Sequence, residues 1–199
     1  ATQSTSAKRP ILQQNTATGA YYLLFDGVDD FLVANNLDLR QFNQLSIFSG
    51  LTKLVDNGAK VLFSHGGLAG DNGAVGCWVG GGGGSESYTT KAGGFSYNYI
   101  KKSNKPQLIA PHTAVFSYTS DFKNGIDRFA INRTNISQLT KTANQTEFFG
   151  TFSLNIGSDN GSMLFNGNLY SLIGITRLAT STEITNTENT IAKNVGVTL

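Results

Sequence analysis

Apolar and polar residues alternate over short stretches along most of the chain, and glycine or asparagine closes many of them. Leu45, Ile47 and Leu51 precede Asn57-Gly58, with Val61 and Phe63 after it; Ala114, Phe116 and Tyr118 precede Asn124-Gly125, with Phe129 and Ile131 after it. A period of two puts such residues on one face of a strand. Asn-Gly readily takes the two positive φ angles of a tight turn. Each set therefore predicts a hairpin with one buried face. Further strands are predicted at residues 21–26, 31–33, 75–79, 95–100, 152–156 and 169–175. Short strands at even spacing predict an all-β protein, an antiparallel β-sandwich of the jelly-roll kind.

The pattern changes at residues 181–195, where Ile184, Ile191 and Val195 fall on one helical face. Thr180, Ser181 or Thr182 can cap this segment, Glu183 suits its first turn and Gly196 its stop. One short C-terminal helix on or beside the sandwich is predicted. Residues 1–18 are polar, with only Ile11 and Leu12 as an anchor, and are expected to form a lead or connector ahead of a single domain at 19–199. The glycine run at 80–84 is expected to be a long mobile loop between strands.

A length of 199 residues suits one well-buried domain. The net charge of +2, with no basic run longer than Lys8-Arg9 or Lys101-Lys102, argues against nucleic-acid partners. The longest apolar run, residues 20–25, is far below a membrane span, so no membrane insertion is expected. The single cysteine, Cys77, reads as a small buried thiol. The first ten residues lack the apolar stretch of a secretory signal, so the chain is expected to be processed, a fragment, or exported without one.

Candidate chemistry is sparse. The glycine run lacks the Lys-Ser/Thr of a phosphate loop. His65 and His112 read as ordinary surface or turn histidines. Glycoside hydrolysis needs two carboxyl groups across a cleft, and no strand carries acids at alternate positions, so no catalytic residue is assigned and the protein is expected not to be an enzyme. Asp26, Asp29 and Asp30 form the densest acidic cluster. They are the candidate metal ligands, with calcium as the one cofactor they admit, although Asp side chains also cap tight turns, the preferred reading. The candidate ligand contacts are Tyr88, Tyr97, Tyr99 and Trp78, aromatic rings around the glycine run that suit the C–H face of a sugar. Of these, Trp78 (with Phe95) is expected in the core, while the three tyrosines are as readily core as displayed. Phe95, Tyr97 and Tyr99 would share one strand face.

Two stretches carry a resemblance. The run from Tyr21 to Leu32, with Phe25-Asp26-Gly27-Val28-Asp29-Asp30 at its centre, resembles the opening signature of laminin-G-like, concanavalin A-like jelly-roll domains of bacteriophage and bacterial surface proteins. The closing stretch, Leu154 to Ser158, Phe165 to Leu172 and then Ile184 to Leu199, resembles that family's late strands and terminal helix. The lead Ala1 to Pro10 resembles the connector that precedes the signature in phage proteins. In relatives that connector commonly follows further residues, which again suggests a fragment or processed product. The resemblance implies a virion-surface protein on tail or head, present in many copies as a homo-oligomer. Other virion proteins are its expected partners, and a host cell-surface glycan is its expected ligand. The alternatives are a decoration or cement protein without a glycan, a glycan hydrolase and a bacterial surface adhesin. Such folds serve many functions, so the resemblance carries over no catalytic residue.

Overall fold

In the computed structural model, which describes residues 1–67, 73–80, 88–92, 99–102, 108–140 and 148–199, thirteen strands form two antiparallel sheets. They are β1 (Ile11–Gln14), β2 (Tyr21–Asp26), β3 (Leu32–Asp38), β4 (Gln44–Lys53), β5 (Lys60–His65), β6 (Val75–Val79), β7 (Tyr88–Ala92), β8 (Tyr99–Lys102), β9 (His112–Asp121), β10 (Ile126–Ile131), β11 (Asn135–Thr140), β12 (Thr151–Ile156) and β13 (Asn166–Ile175). One sheet runs β1-β2-β13-β4-β9-β10-β11, the other β3-β12-β5-β6-β7-β8. Phe25, Ile47, Leu51, Phe63, Phe116 and Phe129 are buried between them in the main core. This is the expected β-sandwich.

Helix α1 (Ser181–Val195) starts and stops where the sequence places it. Thr180 Oγ1 accepts from the Glu183 N–H at 3.2 Å, and Glu183 Oε2 accepts from the Thr180 N–H at 2.8 Å. The two satisfy each other's unpaired donors. Gly196, at φ 77°, ends the helix in the left-handed conformation. Ile191, Ala192 and Val195 cover Phe48 and Val115 on the outer face of the seven-stranded sheet. The buried Glu188 accepts from Ser117 Oγ at 2.7 Å and from Arg133 Nε at 2.6 Å. Among the described residues no helix is long and apolar enough to cross a membrane.

Three expectations change. β4 and β5 are not a hairpin: they lie in different sheets, and residues 54–59 cross between them. β4 pairs with β9 and β13 and is covered on both faces, by the core and by α1, so apolar alternation cannot name its partner. The Asn124-Gly125 turn does join a hairpin, β9 to β10. The lead is more than a connector, since β1 pairs with β2 at the sheet edge and Thr2 bridges Val33. All four β1 residues are exposed, which removes the alternation that marks a strand. β7 and β11 are likewise additional strands, and of the predicted strand at 95–100 only residues 99 and 100 are described, in β8. The glycine run connects β6 to β7; residues 81–87 lie outside the described residues, and so does the expectation of mobility.

Candidate functional site

Strand registers gather one set of connections at a single end of the sandwich. Asp26 pairs with Asn166, Gly167 with Lys53 and Lys53 with His112 in one sheet; Lys60 pairs with Val79 and Val79 with Tyr88 in the other. The acidic turn, the 54–59 crossover and Gly80, the first residue of the glycine run, therefore share this end.

Beneath these connections lies a buried polar cluster. Lys53 is fully buried, its Nζ 2.5 Å from Asp56 Oδ1 and 5.3 Å from the centre of the Tyr88 ring. Asp56 Oδ2 accepts from the Ala110 N–H at 2.5 Å, so one carboxylate neutralises the lysine and holds the segment entering β9. Tyr88 and His112 are 2.8 Å apart, Oη to Nδ1. Burial, with smaller contributions from Cys77 and Asp56, pushes the Tyr88 phenol well above its usual range, so it stays protonated and donates. Burial, reinforced by the Lys53 charge, lowers the His112 pKa to about 4, so its ring is neutral and accepts. The four groups are thus joined in two pairs, Lys53 with Asp56 and Tyr88 with His112. Chemically the cluster is a clamp that fixes the ends of β4, β7 and β9 under the connections.

The clamp has a pH signature. Because His112 binds its proton less readily folded than unfolded, its stabilisation is complete above about pH 6.5, the unfolded value, and is lost as pH falls toward 4. His65 shifts the same way, through burial. The melting temperature should fall across this window, with the His112 share about 2 kcal/mol after allowing for partial solvent access. His112→Phe should flatten the profile; an unchanged profile in that variant would show that the ring is solvated.

The clamp residues Lys53 and Asp56 were not among the sequence candidates. Lys53 follows the apolar face of β4 at even spacing, which is the signal that could have found it. Both histidines also differ from the expectation of surface or turn residues: His65 is 1% exposed in β5, and His112 is half-buried at the start of β9.

The structure divides the aromatic candidates differently from the sequence. Tyr88 is a core residue rather than a displayed one: it pairs with Val79, shares its inward face and has no solvent exposure. Trp78, expected in the core, is half-buried and alternates with the buried Cys77 and Val79, which sets it on the outer face of the six-stranded sheet. The alternation in Val75-Gly76-Cys77-Trp78-Val79 holds this signal, but the size of the indole argues the other way. Tyr99 pairs with Lys91 in register, and its side chain lies outside the described part. Phe95 and Tyr97 lie outside the described residues altogether, and so does their expected shared face. Burial pushes the Cys77 thiol up, in keeping with an inert core residue.

Asp26, Asp29 and Asp30 do come together, with one oxygen from each within 4.8 Å of the others. Much of that arrangement serves the turn. Asp26 Oδ1 accepts from the Val28 and Asp29 N–H groups at 2.8 and 3.3 Å, and Asp30 Oδ2 accepts from the Asp26 N–H at 3.0 Å. Gly27 sits at φ 75°, and a side chain there would meet Asn166 at 2.7 Å. Burial, with the neighbouring Asp26 and Asp29 charges adding to it, raises the Asp30 pKa against a lowering hydrogen bond from Asp26. A second oxygen on Asp26 and on Asp30, with the Asp29 carboxylate, is left for a hard cation.

No protein-family model matches the chain, and no curated protein matches it. Solved structures do. A heptameric SAP-like pentraxin from Limulus polyphemus superposes with a TM-score of 0.61 at 13% identity, covering 83% of this chain and 80% of that one. The CBM40 of the Ruminococcus gnavus IT-sialidase, solved bound to α2,3-sialyllactose, gives 0.59 at 11% identity, covering 79% and 97%. The fold is the concanavalin A-like jelly roll. The enzymatically active domain of tailspike protein 2 from bacteriophage CBA120 gives 0.63 at 10% identity over 94% of this chain, which spans only 29% of that one. At such identities a jelly-roll likeness carries architecture and leaves the function to the site.

Proposed function

We propose that this chain is a non-enzymatic glycan-binding jelly roll on a virion surface, tail or head, serving host attachment or decoration. The observation that carries the glycan reading is Trp78: an indole on the outer face of the six-stranded sheet, one residue before β6 ends at the glycine run. A flat aromatic surface suits the C–H face of a sugar ring. Tyr97 and Tyr99 are the further proposed contacts, Tyr99 at the end of β8 that pairs with Lys91, away from the glycine run, and calcium at Asp26, Asp29 and Asp30 would order the end that carries Trp78. The likeness to a CBM40 bound to sialyllactose supports the binding class. The phage-type signature at residues 25–30, with the likeness to a phage tailspike, supports the particle.

The test is a glycan array probed with the multivalent chain, in calcium and in chelator, beside Trp78→Ala and Tyr99→Ala. Binding of at least one glycan is expected, falling at least tenfold in Trp78→Ala with melting unchanged, the behaviour of an aromatic contact residue. A blank array, or a Trp78→Ala that binds as well as wild type, would overturn the glycan reading. Loss in chelator would support the cation.

One observation favours a second reading, a decoration or cement protein. The edge strand β1 exposes Ile11 at 59% and Leu12 at 65%, and its sequence Ile-Leu-Gln-Gln has none of the charge that keeps sheet edges from pairing. A blank array together with self-association abolished by Leu12→Lys would favour that reading.

A further inference from the structure

Four Asn-Gly pairs lie among the described residues, and the structure treats one of them differently. Glycine has no side chain to shield its nitrogen, so in such a pair that nitrogen readily reaches the asparagine carboxamide carbon and closes a five-membered ring. Three of the pairs are tied down. Asn124 Nδ2 donates to Asp121 Oδ2 at 2.7 Å, and the Gly125 N–H donates to the Phe122 carbonyl at 3.3 Å. Asn160 Oδ1 accepts from Asn155 Nδ2 at 3.1 Å, and the Gly161 N–H donates to Ser158 Oγ at 3.2 Å. Asn166 Nδ2 donates to the Asp26 carbonyl at 2.9 Å, and Gly167 lies within β13, between β2 and β4. In each, the carboxamide must leave a partner before it can turn to the glycine nitrogen. Asn57 carries no such restraint. It is exposed on the 54–59 crossover, and among the described residues neither its carboxamide nor the Gly58 N–H has a hydrogen-bond partner. A side chain added at Gly58 would meet nothing within 4 Å, so the space beside this peptide is open.

We propose that Asn57 is a self-modification site whose isoaspartate product loosens the Lys53–Asp56 clamp. The Gly58 nitrogen, once deprotonated, attacks Asn57 Cγ. A new C–N bond closes a succinimide, the bond from Cγ to the side-chain nitrogen breaks, and ammonia leaves with the proton that the Gly58 nitrogen gave up. Water then opens the ring at either carbonyl. Breaking the bond from the Gly58 nitrogen to Cγ leaves aspartate at 57 on an ordinary backbone. Breaking its bond to the main-chain carbonyl leaves isoaspartate, whose backbone runs through the side chain and is one carbon longer. That extra length falls next to Asp56, whose carboxylate holds both Lys53 and the Ala110 N–H. The crossover has no slack on its inner side, since a side chain added at Gly80 would come 2.8 Å from the Gly58 carbonyl. Isoaspartate therefore shifts Asp56 off its partners, and the buried lysine loses part of its counter-charge. The site depends on the clamp and is independent of the glycan reading.

The test is to age the full chain at mildly alkaline pH, in buffer and in denaturing urea, and to follow each Asn-Gly peptide by mass spectrometry with a fragmentation that separates aspartate from isoaspartate. In buffer Asn57 should react roughly tenfold or more faster than Asn124, Asn160 and Asn166, the cost of the hydrogen bonds those three must first break. In urea the four should react alike, because glycine follows each. The chain carrying isoaspartate should melt below the fresh chain, while Asn57→Asp, which adds the charge without the longer backbone, should melt close to wild type. Asn57→Gln, whose ring would be six-membered and closes far more slowly, should age without that loss. Equal rates at the four pairs in buffer, the same order of rates in urea as in buffer, or an isoaspartate chain that melts with the fresh one would each overturn the proposal. The rates are read on the unaltered chain and decide even if a variant fails to fold.

Discussion

Asp56→Asn should lower the stability of this domain by about 3 kcal/mol, the lower range for breaking a buried ion pair. Asparagine keeps an oxygen for the Ala110 N–H and removes only the charge, so the loss isolates what the carboxylate does for Lys53. The lysine has no solvent to turn to: it is fully buried, and beyond Asp56 its near neighbour is the face of Tyr88. The Asp56 side chain is 18% exposed, which places the cost at the lower end. For a chain of this length the melting temperature should fall by about 10 °C. Lys53→Met combined with Asp56→Asn should recover most of it, because an apolar side chain of similar volume needs no counter-charge. A single-variant cost below about 1 kcal/mol, the worth of a surface pair, would mean that Lys53 reaches water. Denaturant melts of the three variants decide between these.

Much of the architecture was legible because it rests on local patterns. Residues 181–195 announce their helix through Thr180, Glu183 and Gly196, and the structure uses all three as caps. The strands at 21–26 and 75–79 alternate between a core face and an outer one, or carry an inward Val-Cys-Val set, and are found at those positions. What stayed hidden is which strands meet. The Asn57-Gly58 crossover looks like a hairpin from its flanks, because a strand buried on both faces has the same spacing whichever sheet its neighbour joins. β1 stayed hidden for the opposite reason: as an exposed edge it has no buried face to print a period.

The placement of the candidate side chains was poorly legible by residue. Trp78 was expected inward and lies on the outer face, while Tyr88, which the sequence left as readily core as displayed, is core. Side-chain size favours burying the indole, while pairing with Val79 fixes Tyr88 inward, and only the register of β6 with β7 reveals the second fact. Lys53, Asp56 and His112 lie far apart or in different elements, and their meeting depends on the β4-β9 register. Titratable groups that assemble through register leave no motif in the sequence.

Gly50→Ala should also destabilise the domain, although a glycine inside a strand ordinarily weakens it. The backbone gain on replacing glycine is roughly 0.5 to 1 kcal/mol. Against it stands the seat of α1: a side chain at residue 50 would come 2.6 Å from Ile191 Cγ2 and 2.8 Å from Val195 Cγ1, closer than carbon atoms approach. Overfilling a packed interface costs about 1 to 3 kcal/mol, so the clash wins, and Gly50→Val should lie at the upper end. The damage should be confined to the helix. Glu188, bound to Ser117 and Arg133 one turn away, still holds the middle of α1, while the turns that carry Ile191 and Val195 lift. Hydrogen exchange should therefore rise at residues 189–195 more than in β6 or β12. Ile191→Ala in the Gly50→Ala background should cost less than in the wild type, because the two changes share one space. A neutral Gly50→Ala would mean that the helix slides at no cost, which the capping and Glu188 contacts argue against. The glycan binding proposed at Trp78 should survive below the melting temperature, since α1 covers the outer face of one sheet and the indole lies on the outer face of the other.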